Sequence, residues 1–195
     1  MSALARDAHA DDAAPIHRLR VVVDFVLFEL AWFVCIRQVA QDRPALGVAA
    51  VLAFVLLQVG LSTRRDVDLR LIVLALGLGF LGDTALLQTG LVRYGSPGPI
   101  AGVAPGWILA LWAEFAVVLR GPLRWLRGRP VLAAVLGAVG GPLSYLAAAR
   151  LGACTLPDRP LALVALAVGW ALATPVLVAA AQRLEARMPT AGVQA

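Results

Sequence analysis

Four acidic side chains stand inside long apolar runs of this sequence: Asp24, Glu29, Asp83 and Glu114. An ionisable group at membrane depth is costly and by default marks function, as a proton carrier, a counter-ion or a partner for another polar group. At about 1.5 Å per residue, Asp24 lies only a few Å inside its end of the run and reaches water, and Glu114 lies roughly 9 Å in. Glu29 falls near the middle of its run, and Asp83 lies past the middle of another. An acid at the centre of a span costs about 2.5–3.5 kcal/mol, whereas each Leu, Ile, Phe or Val returns about 0.3–0.6 kcal/mol. Glu29, in a short run that also carries Asp24, therefore needs a partner, a proton or a polar cavity. Phe25, Phe28, Trp32 and Ile36 share its helical face. An aromatic-rimmed carboxylate suits a cationic or lipid-like ligand, and it also suits ordinary packing.

Asp83 closes the stretch Gly77-Leu-Gly79-Phe-Leu-Gly82. The spacing is formally that of a dinucleotide-binding loop, but no strand precedes it, so the glycines are read as points of close helix approach. A second stretch carries Gly137, Gly140, Gly141, Pro142, Ser144, Tyr145 and Arg150. Gly137 and Gly141 form a GxxxG contact surface. Pro142 removes a backbone hydrogen bond, and with the glycines before it predicts a helix break at Gly141 and Pro142 that lines a site. Pro175, beside Thr174, predicts a kink in the last run. Asp83 is expected to meet Arg150 or Tyr145. The candidate intramembrane site is thus Asp83, Tyr145 and Arg150, with Glu29, Trp32 and Ser144 nearby. Asp83 would exchange a proton or pair with Arg150, and Arg150 would hold an anionic headgroup. Against this stands a plainer reading, in which the same groups only hold helices together.

The elements that must position these residues are six apolar runs: Val21–Ile36, Pro44–Leu61, Leu69–Leu91, Pro99–Leu119, Pro130–Ala149 and Leu161–Gln182. Each approaches the roughly 20 residues that cross a bilayer. The expected fold is all-α, a polytopic membrane protein with six transmembrane helices. Five spans plus a re-entrant segment at Pro99–Pro105 is the alternative. Residues 18–183 form one transmembrane domain, flanked by a disordered tail at 1–17 and a second tail at 184–195. Twelve arginines fall on the side of both termini and five on the other. The positive-inside rule then predicts that both termini are cytoplasmic. The loop from Arg120 to Pro130 holds four of the twelve and no acid, which suits anionic lipid headgroups or simple anchoring of topology.

Composition agrees. The chain is 61% hydrophobic and 15% charged, more apolar than one soluble core can bury. Its net charge of +5 rests on arginines between spans, so it signals topology and not nucleic acid. There is no CxxC pair, and His9 and His17 both precede the first run, so no metal or cofactor is expected. Cys35 and Cys154 fall on the same outer side, leaving a disulfide open.

The segments Asp24-Phe-Val-Leu-Phe-Glu-Leu-Ala-Trp32-Phe-Val-Cys35, Trp107-Ile-Leu-Ala-Leu-Trp112, Leu123-Arg-Trp-Leu-Arg-Gly-Arg-Pro130 and Gly140-Gly-Pro-Leu-Ser-Tyr-Leu-Ala-Ala-Ala-Arg-Leu-Gly152 resemble a bacterial inner-membrane family catalogued as domain of unknown function 2878. The resemblance runs from about Val21 to Gln182. It implies a small multi-pass protein of the bacterial cytoplasmic membrane, with no assigned activity or catalytic residues. It also implies Asn and Gln in relatives where this chain has Asp24 and Glu29, which moves weight onto Asp83. The leading functional reading is a protein that handles a lipid or small molecule at an intramembrane polar site, as enzyme or carrier. The rivals are a non-catalytic accessory or assembly subunit, and a small transporter acting as a dimer through GxxxG. Membrane lipids, a second copy or partner membrane proteins are the expected contacts.

Overall fold

A computed structural model describes residues 2–187 of the chain, with side chains from residue 18 onward. Six α-helices carry the fold: α1 (Ser2–Val39), α2 (Pro44–Leu61), α3 (Arg65–Gln88), α4 (Gly106–Val118), α5 (Pro130–Arg150) and α6 (Arg159–Arg187). Pro stands in the first turn of α2 and of α5, where its missing N–H costs nothing. Two short strands, β1 (Arg93–Tyr94) and β2 (Cys154–Thr155), pair antiparallel at one end of the bundle. α1 begins within the segment expected to be a disordered tail. Alanines at 3, 5, 8, 10, 13 and 14 favour helix there. The second tail is helical as far as Arg187, and its remainder, 188–195, lies outside the described residues.

The surface is that of a membrane protein. α2, α3, α5 and α6 are each long and apolar enough to cross a bilayer. Leu56, Val73, Leu81, Val131, Val164 and Leu172 are all more than half exposed, far more apolar surface than water tolerates on a monomer. α4 departs from this pattern. At 13 residues it spans about 20 Å, short of the roughly 30 Å hydrocarbon core. Nine of those residues are buried, and α1, α2 and α3 pack around it. It is a central post inside the bundle, so its length need not match the bilayer. α5 and α6 form a second unit that joins the first mainly through α3 and α6.

Glycines set how closely the helices approach. A Cβ at Gly79 of α3 would overlap the Trp112 indole, and one at Gly141 of α5 would overlap the Trp170 indole. One at Gly137 would strike the Trp170 carbonyl and the Thr174 hydroxyl. The GxxxG surface is therefore spent on α6 of the same chain and is not free for a second copy. The expected helix break is absent: α5 runs unbroken through Gly141 and Pro142. α5 packs along α6 through this stretch, and the Ser144 hydroxyl donates to the Gly141 carbonyl at 2.8 Å.

At the arginine-rich end an ion network ties α3, α6 and the loop after α4. Arg120 donates to Asp68, and through Nε to Glu185 Oε1 at 2.6 Å. Arg127 donates to the same Glu185 oxygen at 2.6 Å. Two of the four loop arginines thus serve internal structure. Burial pushes the Glu185 carboxyl up, but the hydrogen bonds and charges of Arg120 and Arg127 outweigh it and hold its pKa below the ordinary value. A depressed folded pKa contributes stability above the unfolded glutamate pKa, about 4.3, and loses it as pH falls through the lower folded value.

Two outcomes are expected in thermal melts of the purified protein. Gly137→Ala lowers stability by about 1–3 kcal/mol through overpacking, whereas Gly140→Ala, whose Cβ meets nothing within 4 Å, is neutral or slightly stabilising. Glu185→Gln costs about 1–3 kcal/mol at neutral pH, between the values for exposed and buried ion pairs, and flattens the wild type's loss of stability below about pH 4.3.

Candidate functional site

Asp83 lies one turn from the end of α3 and is 1% exposed. Its carboxylate is fully occupied by protein donors. Tyr94 of β1 donates to Oδ1 at 2.6 Å, Tyr145 of α5 donates to the same oxygen, and Trp112 Nε1 of α4 donates to Oδ2 at 2.6 Å. The chain has only two tyrosines, and both converge on this one carboxylate. The strand pair makes this possible: Tyr94 sits opposite Cys154, whose thiol reaches the Tyr145 carbonyl. Trp107 packs edge-on against Tyr94, with ring centroids 5.5 Å apart, and donates to the Ser96 carbonyl at 3.0 Å.

Of the two partners expected for Asp83, Tyr145 is brought to it and Arg150 is not. Five residues turn a helix through roughly 500°, so Arg150 points about 140° away from Tyr145. It stands exposed at the end of α5. Tyr94 and Trp112 were missed as partners of Asp83. The signal for Tyr94 was its rarity, while Trp112 stood out only as part of the family-like segment Trp107–Trp112. Cys35 and Cys154 are free, buried thiols. Asp24 accepts from Gln58 at 3.0 Å and lies 3.7 Å from Arg20, so it is satisfied at the polar end of α1.

Beside the Asp83 cluster lies a cavity of about 440 Å³. Its exposed lining comes from α1 (Phe25, Glu29) and α5 (Leu136, Gly140, Leu143), and its buried lining from α4, α5 and α6. The mouth is therefore the gap between α1 and α5. Trp32, Trp107, Trp112, Phe115 and Trp170 furnish the walls, and Ser144 and Tyr145 also reach the lining. Trp112 and Trp170 stack with centroids 4.4 Å apart and planes 9° from parallel, while Phe115 meets Trp170 edge-on at 5.2 Å. These are the rings admitted by Gly79 and Gly141, so close helix packing also builds the cavity wall.

Two polar groups of the lining have no partner among the described residues. Glu114 is 0% exposed and neither of its carboxyl oxygens is hydrogen-bonded; Thr174 Oγ1 is buried and also unbonded. Glu29 stands at the mouth on an exposed stretch of α1. The pocket thus holds two carboxyls, a free hydroxyl and a largely aromatic wall. Asp83 stands behind Tyr94, Trp112 and Tyr145 and does not reach the lining.

Residues 21–176 match the family described as Protein of unknown function (DUF2878), and the chain belongs to that family. Comparison with curated proteins and with solved structures finds no match.

The Asp83 cluster behaves as a structural lock. Tyr94→Phe and Tyr145→Phe should each cost about 1–3 kcal/mol, the range for losing a hydrogen bond to a charged group. Asp83→Asn should cost at least as much, because its amide N–H₂ must face either the indole N–H or the tyrosine hydroxyls. A double-mutant cycle of Asp83→Asn with Tyr145→Phe, read from denaturation in detergent, should show coupling of 0.5 kcal/mol or more, as for residues sharing one network.

Proposed function

We propose that this family member binds a small amphipathic molecule or lipid from within the membrane, in the cleft between α1 and α5. The observation that carries this reading is Glu114: a wholly buried carboxyl without a partner among the described residues, lining a cavity of about 440 Å³. A buried polar group left unpaired costs free energy. The fold tolerates that cost at a cavity large enough for a ligand, since small-molecule sites run to about 300–1,000 Å³ with few, well-placed polar groups. The mouth is flanked by exposed apolar side chains such as Val22, Val26, Val135 and Val139, so it faces acyl chains when the helices lie in a bilayer.

The location that goes with this function is the bacterial cytoplasmic membrane, with six spans and both termini inside. What supports it is the arginine bias and the apolar surface. An accessory role would leave Glu114 and its cavity without a purpose, and it is the weaker reading for that reason.

Four tryptophans line the cavity, so ligand entry is readable by fluorescence. In nanodiscs, a brominated single-chain alcohol should quench tryptophan emission saturably above the linear background from bilayer partitioning. Gly140→Leu, which projects into the mouth from a position with no atom within 4 Å of its Cβ, should fold and abolish the saturable part. Purely linear quenching, or a saturable part indifferent to Gly140→Leu, would refute the proposal.

A further inference from the structure

Two other features of the fold invite a functional reading, and both are weaker than the cleft. The Asp83 carboxyl is fully satisfied by Tyr94, Trp112 and Tyr145, and although those three line the cavity, Asp83 itself does not. The arginine-rich basin contains Asp24, Asp68 and Glu185 beside its arginines, and Arg120 and Arg127 are already bound to the last two of these. The cleft is different, because its polar groups lack partners.

We infer that the cleft selects amphiphiles bearing a primary ammonium group, with the ammonium held at Glu114. This rests on the cleft being a ligand site at all, and adds the chemical class of its ligand. Among the described residues that line the cavity, Glu29 and Glu114 are the only carboxyl groups, and there is no guanidinium or ammonium beside them. No described arginine reaches the cavity to hold a phosphate or carboxylate, so anionic and zwitterionic headgroups are disfavoured there. Among the described lining residues the groups without partners are the two Glu114 oxygens and the Thr174 hydroxyl, and each oxygen can accept a hydrogen bond. A primary ammonium offers three donors and no acceptor, the complement of that set. Charge complementarity acts strongly at such a site, because the low dielectric that makes a lone carboxylate costly also strengthens its pairing with a cation.

The walls point the same way. Trp32, Trp107, Trp112 and Trp170 present indoles to the cavity, and an indole face attracts a desolvated cation. Glu29 at the mouth and Glu114 at the floor then form two acidic stations along one path from the lipid-facing side inward. The apolar tail remains between α1 and α5, where Phe25, Leu136 and Leu143 line the entrance.

The experiment compares dodecylamine, dodecanol and dodecyltrimethylammonium in nanodiscs of one lipid composition, each competing with the brominated alcohol at neutral pH. Dodecylamine should compete at least ten-fold more effectively than dodecanol in wild type, and more effectively than the quaternary ion, which lacks N–H donors. Glu114→Gln should bring dodecylamine to the level of dodecanol while leaving dodecanol unchanged, and comparison within one bilayer composition cancels partitioning. Thr174→Val, which keeps the shape, should weaken dodecylamine alone and provides the test if Glu114→Gln does not fold. Lysophosphatidylethanolamine separates a free amine from a lipid headgroup: competition by it at the level of dodecylamine would overturn the exclusion of zwitterions. Equal binding of amine and alcohol, unaffected by Glu114→Gln, would overturn the ammonium assignment and leave the cleft intact. Failure of every amphiphile to compete would instead remove the cleft reading, and this inference with it.

Discussion

A carboxylate taken into an apolar interior loses its water and costs several kcal/mol unless protein donors take the water's place. Asp83 meets that demand by drawing donors from β1, α4 and α5 onto a residue of α3. Each donor belongs to an element that would otherwise contact α3 only through nondirectional packing. The need to satisfy one acid therefore fixes where the strand pair lies, how α4 is rotated and how α5 approaches the bundle. The glycines serve the same arrangement: only a bare backbone at Gly79 lets Trp112 come close enough to reach Asp83 and present its ring to Trp170.

Glu114 shows the opposite outcome of the same physics. It is as buried as Asp83, yet no donor reaches it. The two acids lie on adjoining helices, with Trp112 only two residues from Glu114 and bonded to Asp83. One acid is used to assemble the bundle. The other is left facing a cavity of ligand size, whereas the one further buried acid among the described residues, Asp68, is paired with Arg120. That asymmetry in partners distinguishes the two acids more sharply than burial does.

Much of the architecture was legible in the residues. Apolar runs of the right length announced helices in a membrane because a bilayer demands that every backbone group be bonded within its own segment. Intramembrane acids stood out because their insertion cost is large, and Tyr145 was found as a partner for Asp83. The break at Gly141 and Pro142 and the GxxxG surface as a dimer interface were inferred from α5 taken alone, and both outcomes depended on α6, which lies elsewhere in the chain. Arg150 is not the partner of Asp83 for a simpler reason, since it lies about 140° round the helix from Tyr145.

The sequence by itself determined the class of solvent, the helices and the short list of polar residues that would matter, since hydropathy and insertion cost are properties of residues and of their neighbours along the chain. Only the tertiary structure decided which of those residues were satisfied. Whether a buried carboxyl finds donors depends on distances across helix interfaces, and those are set by glycines, indoles and a two-residue strand far apart in sequence. Hence Asp83, the leading candidate from the residues alone, is occupied by its own protein, and Glu114 faces the open cleft.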